Sequence, residues 1–179
     1  MQAKHGRELD PLSPFANMEL GEAYYHGRQY DQAINQITRT FEMDPHLVGF
    51  AYHVRARAYE QKKMYAEALA DSQRWAEAFK DDPQPLSSVA RFQARMGNRA
   101  EALRMLDRLQ ELSKHRYVSS YWTATVYIGL GDKENALAAL EKAYEDRYFL
   151  MIWINGDPLF DSLRSEPRFI DLERRIGLR

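Results

Sequence analysis

Residues 17–45 read NMELGEAYYHGRQYDQAINQITRTFEMDP, and this stretch decides the fold. Two helical patterns flank His26-Gly27, with Leu20, Gly21 and Tyr24 before it and Ala33 and Ile37 after it. Asp44-Pro45 ends the second pattern, because proline cannot continue a helix and restricts the residue ahead of it. The alanine at the centre of that second helix then returns. Ala33, Ala68, Ala102 and Ala136 recur at intervals of 35, 34 and 34 residues. A period of about 34 residues belongs to a helix–turn–helix unit that stacks on copies of itself into a solenoid.

Upstream, Ser13 as N-cap and Pro14 at the first helical position predict where the first helix begins. Downstream, the second unit offers Tyr52, Ala56, Tyr59 and Ala68 about a turn at Lys62-Lys63. The third offers Leu86, Val89, Ala90, Ala102 and Leu106 about Met96-Gly97-Asn98. The fourth offers Ala124, Tyr127, Ala136, Leu140 and Ala143, with its turn expected over 129–132. Helices that cross closely need small residues at the contact and large ones beside them, which accounts for the recurring alanines. Three positions depart from the pattern. Ser72 stands where bulk is expected, while Trp75 and Leu109 stand where small residues are expected. Local repacking, with a changed angle between the second and third units, is the expectation. The rival reading is a Trp75 side chain exposed for binding.

Residues 1–13 read as the remnant of a preceding repeat, as in a piece of a longer array. Four units follow over 14–147, at about 14–48, 49–82, 83–116 and 117–147, and 148–179 form a C-terminal cap of one single domain. Within the cap, Asp157-Pro158 and Glu166-Pro167 each open a short helix. Leu159, Phe160, Leu163, Phe169, Leu172 and Ile176 give those helices an apolar face that covers what a fifth repeat would bury.

Together these features resemble the tetratricopeptide repeat family over essentially the whole chain. Its signature order W-x2-L-G-x2-Y, A-x3-F, P is met by Asn17, Leu20, Gly21, Tyr24, Ala33, Ile37 and Pro45, with Asn17 in the place of tryptophan. The resemblance implies an all-α fold, a right-handed superhelix of antiparallel helix pairs with C-terminal capping helices. Segments 8–14 (ELDPLSP), 112–119 (LSKHRYVS), 129–133 (GLGDK) and 157–169 (DPLFDSLRSEPRF) are similar to the C-terminal arrays of bacterial multidomain regulators. Such arrays follow a winged-helix DNA-binding domain, a Ser/Thr kinase or a beta-propeller-like segment, so that context is implied by resemblance alone.

In the family the inner wall comes mainly from the first helix of each unit. That geometry assigns to a groove Phe15, Met18, Glu22, Tyr25 and His26, then Phe50, His53, Arg57, Glu60 and Gln61. The third unit adds Gln84, Ser87, Arg91, Ala94 and Arg95, and the fourth Val118, Tyr121, Thr125 and Ile128. The candidate partner-binding set is Tyr25, Phe50, His53, Arg57, Arg91, Arg95 and Tyr121. Guanidinium groups beside aromatics suit a peptide carboxylate or an acidic side chain. The competing reading has these arginines solvated, or neutralised by Glu22 and Glu60. The lysine and asparagine clamp of the family's chaperone-tail receptors is missing, so that function is not expected.

Residues 148–154, YFLMIWI, form the most hydrophobic stretch. Core beneath the cap is the first reading, and self-association through Phe149, Met151 and Trp153 is the second. A seven-residue run is far short of the ~20 needed to span a bilayer, so no membrane partner is expected. The chain of 179 residues is 45% hydrophobic and 28% charged with a net charge of −1, so no global field draws it to nucleic acid. It contains no cysteine, which removes disulfides and thiolate catalysis. His5, His26, His46, His53 and His115 show no metal-ligand spacing. Gly129-Leu130-Gly131 lacks the strand and the Gly-Lys of a phosphate loop, and Asp81-Asp82 has no matched acid–base partner. The sequence therefore predicts a cytoplasmic protein-interaction module, without cofactor or enzymatic activity, that holds a protein or acidic peptide segment in its groove. The alternative is a domain that acts by homodimerising or by docking on an attached output domain.

Overall fold

The computed structural model describes residues 10–44 and 49–178. The expected helix stop at Pro45, together with His46, His5 and Glu8-Leu9, lies outside the described residues. Those described are helical or in turns, with no strand among them. The chain divides into two compact units, one through Lys80 and one from Asp81.

The first unit holds α1 (Pro14–His26), α2 (Tyr30–Met43), α3 (Phe50–Gln61) and α4 (Tyr65–Ala78). Helix α1 starts as the sequence predicts, with Ser13 Oγ accepting the Ala16 N–H at 3.2 Å. Consecutive helices pair, α1 on α2 and α3 on α4, and α3 also packs on α2. Ala33 and Ile37 are fully buried, in a core with Met18, Tyr25, Ala51, Val54 and Ala58. Asn17, which replaces the signature tryptophan, is buried and polar. Its Nδ2 donates to the carbonyls of Pro11 and Ser13, each at 2.9 Å, and its Oδ1 accepts from Gln36 Nε2 at 2.7 Å. A satisfied amide thus ties α1 to α2 where the family pattern packs a ring. Trp75 is buried against the His53 ring, centroid to centroid 4.9 Å, and Ser72 one turn earlier is fully enclosed. The exchange of sizes on α4 is therefore repacking within this unit, and Trp75 is not an exposed binding residue.

The second unit holds α5 (Pro83–Arg95), α6 (Arg99–Ser113), α7 (Ser120–Leu130) and α8 (Lys133–Glu145). Two 3₁₀ helices, η1 (Phe149–Trp153) and η2 (Pro158–Leu163), and α9 (Pro167–Ile176) complete it. The turn between α7 and α8 is shorter than expected, because Gly129 and Leu130 are still helical. Gly129 instead lets α7 lie against α5: a Cβ there would fall 2.8 Å from the Arg91 carbonyl oxygen. Gly131, at φ 73°, breaks the helix in the left-handed region, and Asp132 Oδ1 caps α8 by accepting the Asn135 N–H at 3.1 Å.

Both C-terminal Asp/Glu-Pro steps open helices as predicted, and Asp157 Oδ1 accepts the Leu159 N–H at 2.9 Å. Phe160, Leu163, Phe169 and Leu172 are fully buried in one cluster with Leu140 and Ala143 of α8. The apolar run 148–154 is split. Met151 and Ile154 enter the core, whereas Phe149, Ile152 and Trp153 remain 67%, 57% and 56% exposed. Three residues per turn in a 3₁₀ helix put 151 and 154 on one side and 149 and 152 on another. Met151 is thus a correction to the self-association set, and Ile152 stands at the surface instead.

Candidate functional site

The first helices of the first unit, α1 and α3, lie in contact. Phe15, Met18, Glu22 and His26 follow one face of α1, and Phe50, His53 and Arg57 follow the equivalent face of α3, 35 residues later. This register is visible as an ion pair: Arg57 Nη1 donates to Glu22 Oε1 at 3.1 Å. The same carboxylate oxygen accepts from His26 Nε2 at 2.9 Å. The Arg57 guanidinium lies over the Tyr25 ring at 4.0 Å from its centroid, and His53 Nε2 is 3.5 Å from Arg57 Nη1.

Burial alone would raise the Glu22 pKa. The Arg57 charge and the His26 hydrogen bond outweigh it and hold the carboxyl down at about 2. Arg57 is only 6% exposed, so its charge is spent inside the unit rather than offered to a partner. Here the competing reading, neutralisation by Glu22, describes the geometry.

The other predicted residues separate into two kinds. Tyr25 is fully buried and forms the platform beneath Arg57. Tyr121 is buried as well, packed on Trp122, Tyr148 and Phe160 at centroid distances of 5.1, 5.5 and 5.8 Å, so it is core under the cap. Arg91 is buried, with its guanidinium 4.8 Å from the Phe92 ring centroid. Three residues reach the surface. Phe50 is 40% exposed beside His53, His53 is half-buried, and Arg95 is half-buried in the last turn of α5.

Sequence reasoning missed a second buried charge pair. Arg55 grips Asp71 bidentately at 2.7 and 2.8 Å and lies over Phe41 at 4.7 Å, tying α3 to α4 and to α2. No periodic signal marks it, since the partners stand on helices whose relative rotation the sequence does not give. It also missed a cleft of about 650 Å³ among α6, α7 and α8. The adjacent small residues Ala138 and Ala139 on α8 are its trace in the sequence.

Among the described residues no three His, Asp or Glu side chains are disposed to hold a metal ion. No described helix is long and apolar enough to cross a membrane.

A tetratricopeptide repeat model matches residues 119–145, which span the cap residue Ser119 and the helices α7 and α8. No curated protein matches the chain. The other helices of both units pack in the same consecutive pairs, an arrangement that fits a tetratricopeptide helical-repeat solenoid.

Proposed function

We propose that the chain is a protein-interaction module and that the α1/α3 face of its first unit receives a segment of the partner. Repeats of this family serve as interaction surfaces, and the family is typically a scaffold rather than an enzyme. The observation that carries the finer reading is a pair of exposed aromatics at equivalent positions. Phe15 is 65% and Phe50 40% exposed, and each begins the stripe that leads to the Glu22–Arg57 pair. An internally neutralised floor with aromatic side chains beside it favours an apolar anchor on the partner, since aromatics dominate binding energy at interfaces. The Arg57 charge is already balanced by Glu22, so this reading asks for no acidic group on the partner. The wider context we propose, a cytoplasmic bacterial regulator with an output domain, rests on the resemblance of segments 8–14, 112–119, 129–133 and 157–169.

The second reading is self-association through Phe149, Ile152 and Trp153, favoured by their joint exposure. One experiment separates the two. The chain is screened on a peptide array, and its mass is followed by light scattering over a concentration series. The proposal expects a monomer whose best peptides lose about tenfold in affinity with Phe15→Ser plus Phe50→Ser, and nothing with Phe149→Ser plus Trp153→Ser. A concentration-dependent dimer abolished by the second pair would transfer the function to self-association.

A further inference from the structure

We infer that the cleft among α6, α7 and α8 is a second binding site, for a short acidic segment of a partner protein. It is lined by the second helices α6 and α8 together with α7 and the loop before it, and it does not depend on the α1/α3 reading. Its volume of about 650 Å³ lies within the ~300–1,000 Å³ of ligand-binding clefts.

Several cations of the unit are taken up by neighbours: Arg104 by Glu101, Arg108 by Asp81, Lys133 by Glu166, Arg168 by Glu134 and Glu141. Arg116 and Lys142 both line the cleft, and neither makes an ion pair among the described residues. Asp146 is the one carboxylate in the lining, so the cleft carries an excess of positive charge. A third polar group waits there too. Ser120 Oγ is shielded from solvent and has no hydrogen-bond partner among the described residues. A buried hydroxyl without a partner is costly, and an incoming carbonyl or carboxylate oxygen would accept its hydrogen.

Apolar surface completes the site. Tyr117, 65% exposed, and the half-buried Tyr127 stand in the wall, and Ala138 and Ala139 keep the α8 side low enough for a peptide side chain to rest on it. The exposed Tyr117, Gln110 and Ser113 leave the cleft open, which suits a chain passing through better than an enclosed small molecule. The occupant that matches all of this is a segment with an Asp or Glu next to an aliphatic or aromatic residue. The acidic group is placed by Arg116 and Lys142, and the apolar group lies against the tyrosines and alanines.

The test uses the full chain, isotopically labelled for NMR, and blocked pentapeptides with a central Glu flanked by Leu or Phe. Amide shifts confined to Ser120, Thr123, Ala138, Ala139 and Lys142 are expected. Arg116→Glu and Lys142→Glu should each weaken binding about tenfold, while Lys114→Glu, outside the cleft and beside Glu111, should leave it unchanged. Arg116 and Lys142 are exposed, so their variants keep the fold, which the spectrum itself verifies. Shifts elsewhere, no response at millimolar peptide, equal binding of control pentapeptides with a central Lys in place of Glu, or equal saturation by inorganic phosphate would each overturn the assignment.

Discussion

Glu22 and Arg57 occupy equivalent positions in consecutive repeats, and the 3.1 Å between them makes one residue's chemistry depend on its neighbour 35 positions away. Removing the carboxylate charge takes an ion-pair partner from a guanidinium that is almost wholly buried. Glu22→Gln should cost about 2–4 kcal/mol in denaturant unfolding, whereas Glu22→Leu with Arg57→Met should recover much of it, because paired charges can be exchanged for packed apolar groups. The pH dependence has a definite sign. The folded pKa of about 2 lies below the ordinary 4.5, so the stabilisation from Glu22 is complete above about pH 4.5 and is lost as pH falls towards 2. Unfolding curves between pH 6 and pH 2 should show that loss in the native chain and a flatter profile in Glu22→Gln. The residues of this cluster were legible as types and positions, since the family geometry that the sequence resembles puts Glu22, His53 and Arg57 on the groove side. Which charges cancel was not, because cancellation depends on how α1 and α3 meet.

At the scale of elements, the two glycines that end α7 do different work. Gly129 is a contact residue, where an added Cβ meets the Arg91 backbone, and Gly131 is a conformational residue at φ 73° with nothing within 4 Å of its Cβ position. Both alanine variants should lose about 1–2 kcal/mol in thermal or denaturant unfolding, for separate reasons. Asparagine tells them apart. Gly131→Asn should recover most of the loss, since asparagine tolerates the left-handed region, while Gly129→Asn should be worse than alanine because it adds bulk to a closed contact. The sequence puts both glycines between two helical patterns, so they look like one turn. Only the packing of α7 on α5 assigns the first of them to the helix.

At the scale of the whole molecule, the cap belongs to the largest apolar cluster of the second unit. Phe160 and Phe169, stacked at 6.2 Å between centroids, close it over Leu140 and Ala143. Phe160→Ala or Phe169→Ala should each destabilise by about 3–5 kcal/mol in denaturant titration, and a loss below about 1 kcal/mol would mean that the cap is dispensable to this core. The helices, their pairing period, the Ser13-Pro14 start and the Pro158 and Pro167 starts were determined by the sequence itself, because they rest on local chemistry: capping oxygens, missing N–H groups and a repeat of about 34 residues. Tertiary structure alone decided that Tyr25, Arg57, Arg91 and Tyr121 are interior while Phe15 and Phe50 are exposed, and that Met151 turns in while Ile152 turns out. The physical reason is that periodicity assigns a residue to a helix face, but exposure of that face depends on the rotation and spacing of neighbouring helices. Those are set by contacts between residues tens of positions apart.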